Sequence, residues 1–303
     1  MKEPLDIEEV YTDLPGYMFR PKKKGKYPGI IFVHGSGGGS NNFINVPDAP
    51  PRPTGKEAKF VKMAINYAQK GYATLALSYF DFETTRSLSI VPPPELIRVD
   101  IKNITEHVLS TMRAFDFVNE HSVGIYGNSR GAEHVLILAS MAGKSSKGSP
   151  DYVVALSPTA YIWNGISKDT ADKYKRGEEI DWPIFPAWSY DQIDITDEHI
   201  AFEAIDIPFF ISCFRQDTVW KTEKDYADIK SYLKKHKKAF IELEWLSAMQ
   251  DPCLPAVHRG NNILLDIPLE GHCYPDSVLY SHEAKVLDEV IAQFIFTQSS
   301  APF

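Results

Sequence analysis

Ile125-Tyr126-Gly127-Asn128-Ser129-Arg130-Gly131-Ala132-Glu133 decides how the rest of the chain is read. A hydrophobic run (Val123, Gly124, Ile125, Tyr126) has the character of a buried strand. It stops at Gly127-Asn128-Ser129-Arg130-Gly131, and an apolar helical pattern (Ala132, Val135, Leu136, Leu138, Ala139) follows at once. Strand, sharp turn and helix in that order form a nucleophile elbow. Gly127 and Gly131 let strand and helix pass close together, and the strained turn holds the Ser129 hydroxyl at the top of a sheet. The helix N-terminus behind it favours negative charge.

Outward from the elbow the elements alternate. Strand-length apolar runs occur at Gly29–Val33, Ala73–Tyr79, Val123–Tyr126, Tyr152–Leu156, Pro208–Phe214 and Asn262–Ile267. Near-continuous apolar strands mark a parallel sheet covered on both faces. Helical patterns lie between them. Thr54-Gly55-Lys56-Glu57 reads as a capping box for a helix through Lys70, ended by Gly71. Pro94 to Arg113 carries a helix-period stripe at Leu96, Ile97, Ile101, Ile104, Val108, Leu109 and Met112. Thr222 opens a helix to His236, and Ser281 one to about Phe296. Ile7 to Arg20 alternates as a short antiparallel hairpin at a sheet edge. The expected fold class is α/β, a mostly parallel, doubly wound sheet with helices on both faces. One domain spans residues 1–303, with a lid-like insertion at 159–207 and a second irregular insertion at 244–260.

Composition narrows the function. Hydrophobic residues make up 44% of the 303-residue chain, enough for a sizeable core. A net charge of −8 argues against nucleic acid or an anionic membrane as partner. The basic runs at Lys22–Lys26 and Lys234–Lys238 read as a solvated turn and a helix end. No stretch has the length of a membrane span, and the charged N-terminus lacks the apolar core of a signal peptide. Cys213, Cys253 and Cys273 are odd in number, with no metal-ligand spacing, and read as free thiols in a reducing, cytoplasmic compartment. Self-association is left open.

A serine nucleophile needs a base to take its proton and an acid to orient that base. In this architecture they follow in the order Ser, Asp or Glu, His, at strand ends. Asp217 follows the strand Pro208–Phe214, and His272 follows the strand ending at Ile267. Asp266 and Glu270 are the rival acids, one inside a strand and the other two residues from His272. His199, His236, His258 and His282 are less well placed. Two backbone N–H groups must face the developing oxyanion. The first is Arg130, directly after the nucleophile. The second is Ser36 or Gly37, in the Gly-rich loop His34-Gly35-Ser36-Gly37-Gly38-Gly39-Ser40. That loop lacks the lysine and hydroxyl residue of a phosphate-binding loop. His34 reads as a loop brace and Glu133 as a structural anchor. Tyr161, Trp163, Trp182, Phe185, Trp188 and Tyr190 fit either a packed lid or an acyl pocket.

Together these residues resemble the α/β-hydrolase fold. More narrowly they resemble the C-terminal catalytic domain of acyl-CoA thioesterases and bile acid-CoA:amino acid N-acyltransferases, with dienelactone-hydrolase-like relatives. The stretches that carry the resemblance are Tyr27–Ile31 leading into Gly35–Gly39, Gly71–Phe80, Gly127–Glu133, Gln216–Lys221 and Gly271-His272. The resemblance implies Ser129, Asp217 and His272 as nucleophile, acid and base, an ester or thioester substrate, and no metal or organic cofactor. Here fewer than thirty residues precede the first core strand, where the larger thioesterases carry a β-sandwich domain. The N-acyltransferases typically use cysteine, so serine favours hydrolysis. Open alternatives are a plain carboxylesterase, an acyltransferase or cyclase using the same triad, and a non-catalytic receptor of this fold.

Overall fold

The computed structural model describes residues 3–35, 58–79, 96–97, 99–141, 148–162, 166–167, 173, 176, 178, 186–195, 199–217, 222–250, 259–272, 274–275 and 281–299. The chain divides into two compact units: Met1–His121 with Ile162–Asp197, and Ser122–Tyr161 with Glu198–Phe303.

In the first unit, β1 (Ile7–Val10) and β2 (Gly16–Pro21) form the expected antiparallel hairpin, with Ile7 opposite Pro21 and Val10 opposite Met18. β3 (Tyr27–Val33) runs into the segment before α1 (Lys59–Gln69), and β4 (Ala73–Leu77) returns parallel to β3 in the register Gly29 to Ala73 through Val33 to Leu77. β2 pairs antiparallel with the other side of β4. The helix buries Val61, Ala64 and Ala68, and the Thr74 hydroxyl donates to the Ala64 carbonyl at 2.9 Å. Gly71, at φ +100°, ends it as expected, because a left-handed residue there costs glycine little. Its start differs. The helix begins at Lys59 with Ala58 at the N-cap and no side-chain cap, while Thr54 to Glu57 lie outside the described residues.

The Pro94–Arg113 stripe is corrected. Leu96–Ile97 and Val99–Asp100 are extended, and the helix starts only at Ile101, continuing through a π-type stretch at Ile104–Leu109 to Ala114. The cause is Asp100. Its buried carboxylate accepts the backbone N–H of Lys102 (2.9 Å) and, from far along the chain, those of Asp191 (3.1 Å) and Gln192 (2.9 Å). Val99 and Asp100 pair parallel with Trp188 and Ser189. Trp188–Tyr190 and Ile193–Asp194 form a hairpin whose turn residues, Asp191 (φ 54°) and Gln192 (φ 65°), are both left-handed, the geometry that matches strand twist. The insertion expected at 159–207 therefore holds ordered structure in its middle.

Apart from the short strand Tyr274–Pro275, the described strands of the second unit lie in the order β5 (Val118–Asn128, from Ser122 onward), β6 (Val153–Leu156), β7 (Phe209–Asp217), β9 (Ile263–His272) and β8 (Ile241–Glu244). Every neighbouring pair among them is parallel. Between them run α2 (Arg130–Met141) and α3 (Thr222–Lys235), and α4 (Ser281–Ser299) follows β9. Apolar residues fill the strand interiors because both faces are covered. Phe210 and Tyr152 meet Phe294 of α4, and the Ser122 hydroxyl donates to the Ser299 carbonyl at 3.1 Å. β8 escaped the sequence reading because Ile-Glu-Leu-Glu is short and alternating. The segment expected to be irregular from Glu244 opens with a helix, Trp245–Gln250. Cys213 is buried, and Cys253 and Cys273 lie outside the described residues.

Candidate active site

Ser129 sits alone between β5 and α2 with φ 55°, a left-handed backbone that costs a residue with a side chain about 1–2 kcal/mol. Its carbonyl accepts N–H groups from Ala132 (2.8 Å) and Glu133 (3.1 Å), and its own N–H donates to Leu156 at 2.8 Å. The turn is thereby tied both to the helix it starts and to the next strand. The close approach expected of its glycines is present: a Cβ on Gly127 would meet the carbonyl oxygen of Gly131 and come within 2.5 Å of that carbonyl carbon and 2.8 Å of the Ala132 nitrogen. Only glycine fits.

Arg130 is the first residue of α2, where backbone N–H groups lie outside the helical ladder and can face an anion. Its side chain is buried, as are those of Glu133 and His134. Arg130 Nη1 stands 3.9 Å from Glu133 Oε2.

Asp217 is the last residue of β7 and His272 the last of β9, where sequence reading ended the two strands earlier, at Phe214 and Ile267. β7 and β9 are neighbours, and Asp217 stands in register with Gly271, one residue before His272. A register shift makes this pairing. Phe214 faces Ile267 and Gln216 faces Glu270, so β9 spends one extra residue between them, at Pro268-Leu269. Proline cannot donate to the ladder, so it belongs in such a bulge, which re-aims the strand beyond it. β9 then turns back, with His272 paired to Tyr274. The carboxyl ends of β5, β7 and β9 thus carry Ser129, Asp217 and His272 at one edge of the second unit's sheet, where ligands sit in open α/β sheets.

The rival acid Asp266 lies within β9, and its Oδ2 is held by Arg215 Nε (2.7 Å) and Nη2 (2.6 Å). That guanidinium occupies the carboxylate. Sequence reading missed Asp225, in the first turns of α3. Its buried carboxylate accepts the Ala160 N–H at 3.0 Å, and burial foremost, with the charges of Asp228 and Asp217, pushes its pKa up. No sequence signal marks it, because the Ala160 amide comes from 65 residues away. Next to it, Tyr161 donates to Asp228 at 2.7 Å and packs with its ring tilted against His199, which stacks on Tyr232 in turn. His199 is thus part of an aromatic column.

Ser36 and Gly37, the expected second oxyanion donors, lie outside the described residues, as do Trp163, Trp182 and Phe185. In the first unit His34 is buried and its Nδ1–H donates to the Gly35 carbonyl at 2.8 Å. The Tyr79 hydroxyl donates to the His34 carbonyl at 2.9 Å, and Trp188 stacks on Tyr79. His34 braces its loop, and Trp188 is packing. Among the described residues, no group of three His, Cys, Asp or Glu side chains could hold a metal ion, and no helix is long and apolar enough to cross a membrane.

No family model matches the chain. Over 129 residues it is 32% identical to the peroxisomal succinyl-coenzyme A thioesterase of Mus musculus, covering 43% of this chain and 24% of that protein. Over 261 residues it is 24% identical to the mitochondrial acyl-coenzyme A thioesterase 2 of Mus musculus, covering 82% of this chain and 51% of that protein. The chain thus spans about half of the length of one of these curated relatives and about a quarter of the other. Among solved structures, an esterase of Pyrococcus furiosus superposes with a TM-score of 0.53 at 13% identity, covering 98% of this chain and 92% of that one. The chain has the α/β-hydrolase fold, and in sequence it resembles the acyl-CoA thioesterases.

Proposed function

We propose that the protein is a serine hydrolase that cleaves an acyl thioester or a carboxylic ester through Ser129, His272 and Asp217. The observation that carries this reading is the left-handed Ser129 at the strand-to-helix turn, with Asp217 and His272 ending adjacent parallel strands one register step apart. The thioesterase names of the two curated relatives support the substrate class.

In this reading His272 takes the hydroxyl proton as Ser129 Oγ attacks the carbonyl carbon. The backbone N–H of Arg130 holds the oxyanion, with Ser36 or Gly37 supplying the second donor. Collapse of the tetrahedral intermediate expels the thiol or alcohol, which carries away the proton from His272. Water, deprotonated by His272, then attacks the acyl-enzyme, and the acid leaves with Ser129 restored. Asp217 orients the imidazole and stabilises its charged form. The chemistry calls for no metal or organic cofactor.

A panel of acyl-CoAs, short aryl esters and lactones tests the reading, with Ser129→Ala as the blank. Turnover of at least one class, lost in the blank and reduced about 10³- to 10⁴-fold in Asp217→Asn, is expected. Absence of Ser129-dependent turnover across the panel, in folded protein, overturns it.

A further inference from the structure

The strands of the second unit do not end together. Asn128, the last residue of β5, and Leu156, the last of β6, lie in one row with Ser212 of β7 and Leu265 of β9. From Ser212, β7 runs on five residues to Asp217, about 16 Å at a strand's rise, and from Leu265, β9 runs on seven to His272. The carboxyl edge therefore forms a step. Asn128 and Leu156 stand at its foot, where Ser129 leaves the sheet, and the strands that bear Asp217 and His272 run on beyond them.

Asn128 is the anomaly at that foot. It is only 4% exposed, and its Oδ1 has no hydrogen-bond partner among the described residues. A Cβ on Gly127 would strike α2, so strand alternation turns Asn128 to the opposite face, away from that helix. A carboxamide taken out of water without a partner is unfavourable, and leucine, with the same branched shape, would fill the position without that penalty. Folding alone therefore does not explain asparagine here. Its nearness to the chemistry does. Asn128 and Ser129 are chain neighbours with Cα atoms about 3.8 Å apart, so the carboxamide lies within about 10 Å of Ser129 Oγ however both side chains turn. A group a few bonds from a carbonyl held at Ser129 falls within that reach.

We propose that Asn128 is a specificity residue, its carboxamide hydrogen-bonding a polar group that the substrate carries a few bonds from the scissile carbonyl. The proposal rests on the reading of Ser129 as nucleophile and narrows its substrate. The acyl part or the leaving group bears a hydroxyl or an amide, and plain alkyl partners are disfavoured. A carboxamide both donates and accepts, so either group satisfies it. With such a substrate bound, the buried oxygen gains a partner; with an alkyl analogue it stays unpaired. That is how a site built for a hydrogen bond rejects the analogue that lacks it. Ser212 is the internal comparison. Its hydroxyl is fully buried, without a partner among the described residues and in the same row, yet it stands two strands from Asn128 and five residues short of the end of its own strand.

Three thioesters separate the two sources of that group. Butyryl-N-acetylcysteamine is the reference. Its 3-hydroxybutyryl analogue adds a hydroxyl to the acyl part, and the butyryl thioester of pentanethiol removes the amide from the leaving group at equal chain length. The assay is kcat/KM on wild type, Asn128→Leu, Asn128→Ala, Ser212→Ala and Ser129→Ala. Ratios between substrates do not depend on how much of a variant is correctly folded, so partial misfolding leaves the test intact. Wild type is expected to favour the polar member of at least one pair by about 10-fold or more, and the pair that shows it identifies which part carries the group. Both Asn128 variants lower that ratio about 10-fold, while Ser212→Ala keeps the wild-type value. A merely structural role would move stability and leave the ratio alone. No wild-type preference in either pair, a ratio that Asn128→Leu leaves within twofold of wild type, or one that Ser212→Ala lowers equally overturns the specificity residue and leaves the nucleophile standing. Wild type that turns over none of the three faster than Ser129→Ala overturns both.

Discussion

Gly127→Ala is the most demanding perturbation of the elbow. An added methyl would come within 2.5 Å of the Gly131 carbonyl carbon and 2.8 Å of the Ala132 nitrogen. Carbon–carbon contacts relax near 3.5–4.0 Å, so strand and helix must part by about 1 Å. The atoms in the way are backbone, anchored by the Ala132 and Glu133 bonds to Ser129, and no side chain can swing aside. Overpacking of this kind costs about 1–3 kcal/mol, and a rigid obstacle belongs at the upper end. At about 2–4 °C per kcal/mol for a chain of this size, the melting midpoint falls by about 6–12 °C. A displacement of about 1 Å at a reacting group lowers rate on the order of 10²-fold. The assay pairs a thermal melt with fluorophosphonate labelling kinetics. Gly260→Ala is the control: nothing lies within 4 Å of its added methyl, and only the left-handed φ of +85° costs, about 1–2 kcal/mol. Its labelling rate stays at the wild-type value. A Gly127→Ala protein that melts within 1 °C of wild type and labels within twofold of it refutes the close-approach argument.

Two further outcomes follow from buried carboxylates. Asp100→Ala leaves three backbone N–H groups (Lys102, Asp191, Gln192) without their acceptor. A loss of about 2–3 kcal/mol and faster hydrogen exchange across Trp188–Asp194 are expected, and unchanged exchange contradicts the anchoring role. Asp225 behaves in the opposite sense to a salt-bridged acid. Its folded pKa is raised by burial, so its contribution is favourable below the ordinary value of 3.8 and is lost as pH rises through the folded one. Asp225→Asn, which can still accept the Ala160 N–H, should therefore melt higher than wild type at pH 7. That advantage should vanish near pH 3.8 and below; a lower melting midpoint at pH 7 counts against the argument.

What could be read in advance was local or ordered along the chain. The elbow was legible because Gly127, Ser129 and Gly131 carry their conformational demands within five residues. Asp217 and His272 were singled out from a triad's order and from strand-end placement, and what the structure adds is that both belong to their strands. What escaped reading depends on partners distant in sequence. The apolar stripe from Leu96 to Met112 runs unbroken across Asp100, and only the amides of Asp191 and Gln192 explain why the helix waits until Ile101. Asp225 is an ordinary helix acid until Ala160 buries it. The extra residue at Pro268-Leu269, which sets Asp217 opposite Gly271, follows from strand pairing that no single strand's sequence displays.

The central claim is that Ser129 is a nucleophile activated by His272 and Asp217. Covalent labelling of the intact protein by a fluorophosphonate, with the adduct located by peptide mass spectrometry, tests it most directly. The account predicts one adduct per chain, on Ser129, absent in Ser129→Ala and slowed at least 10³-fold in His272→Ala. Folded wild-type protein that takes no label, or takes it elsewhere, contradicts the account.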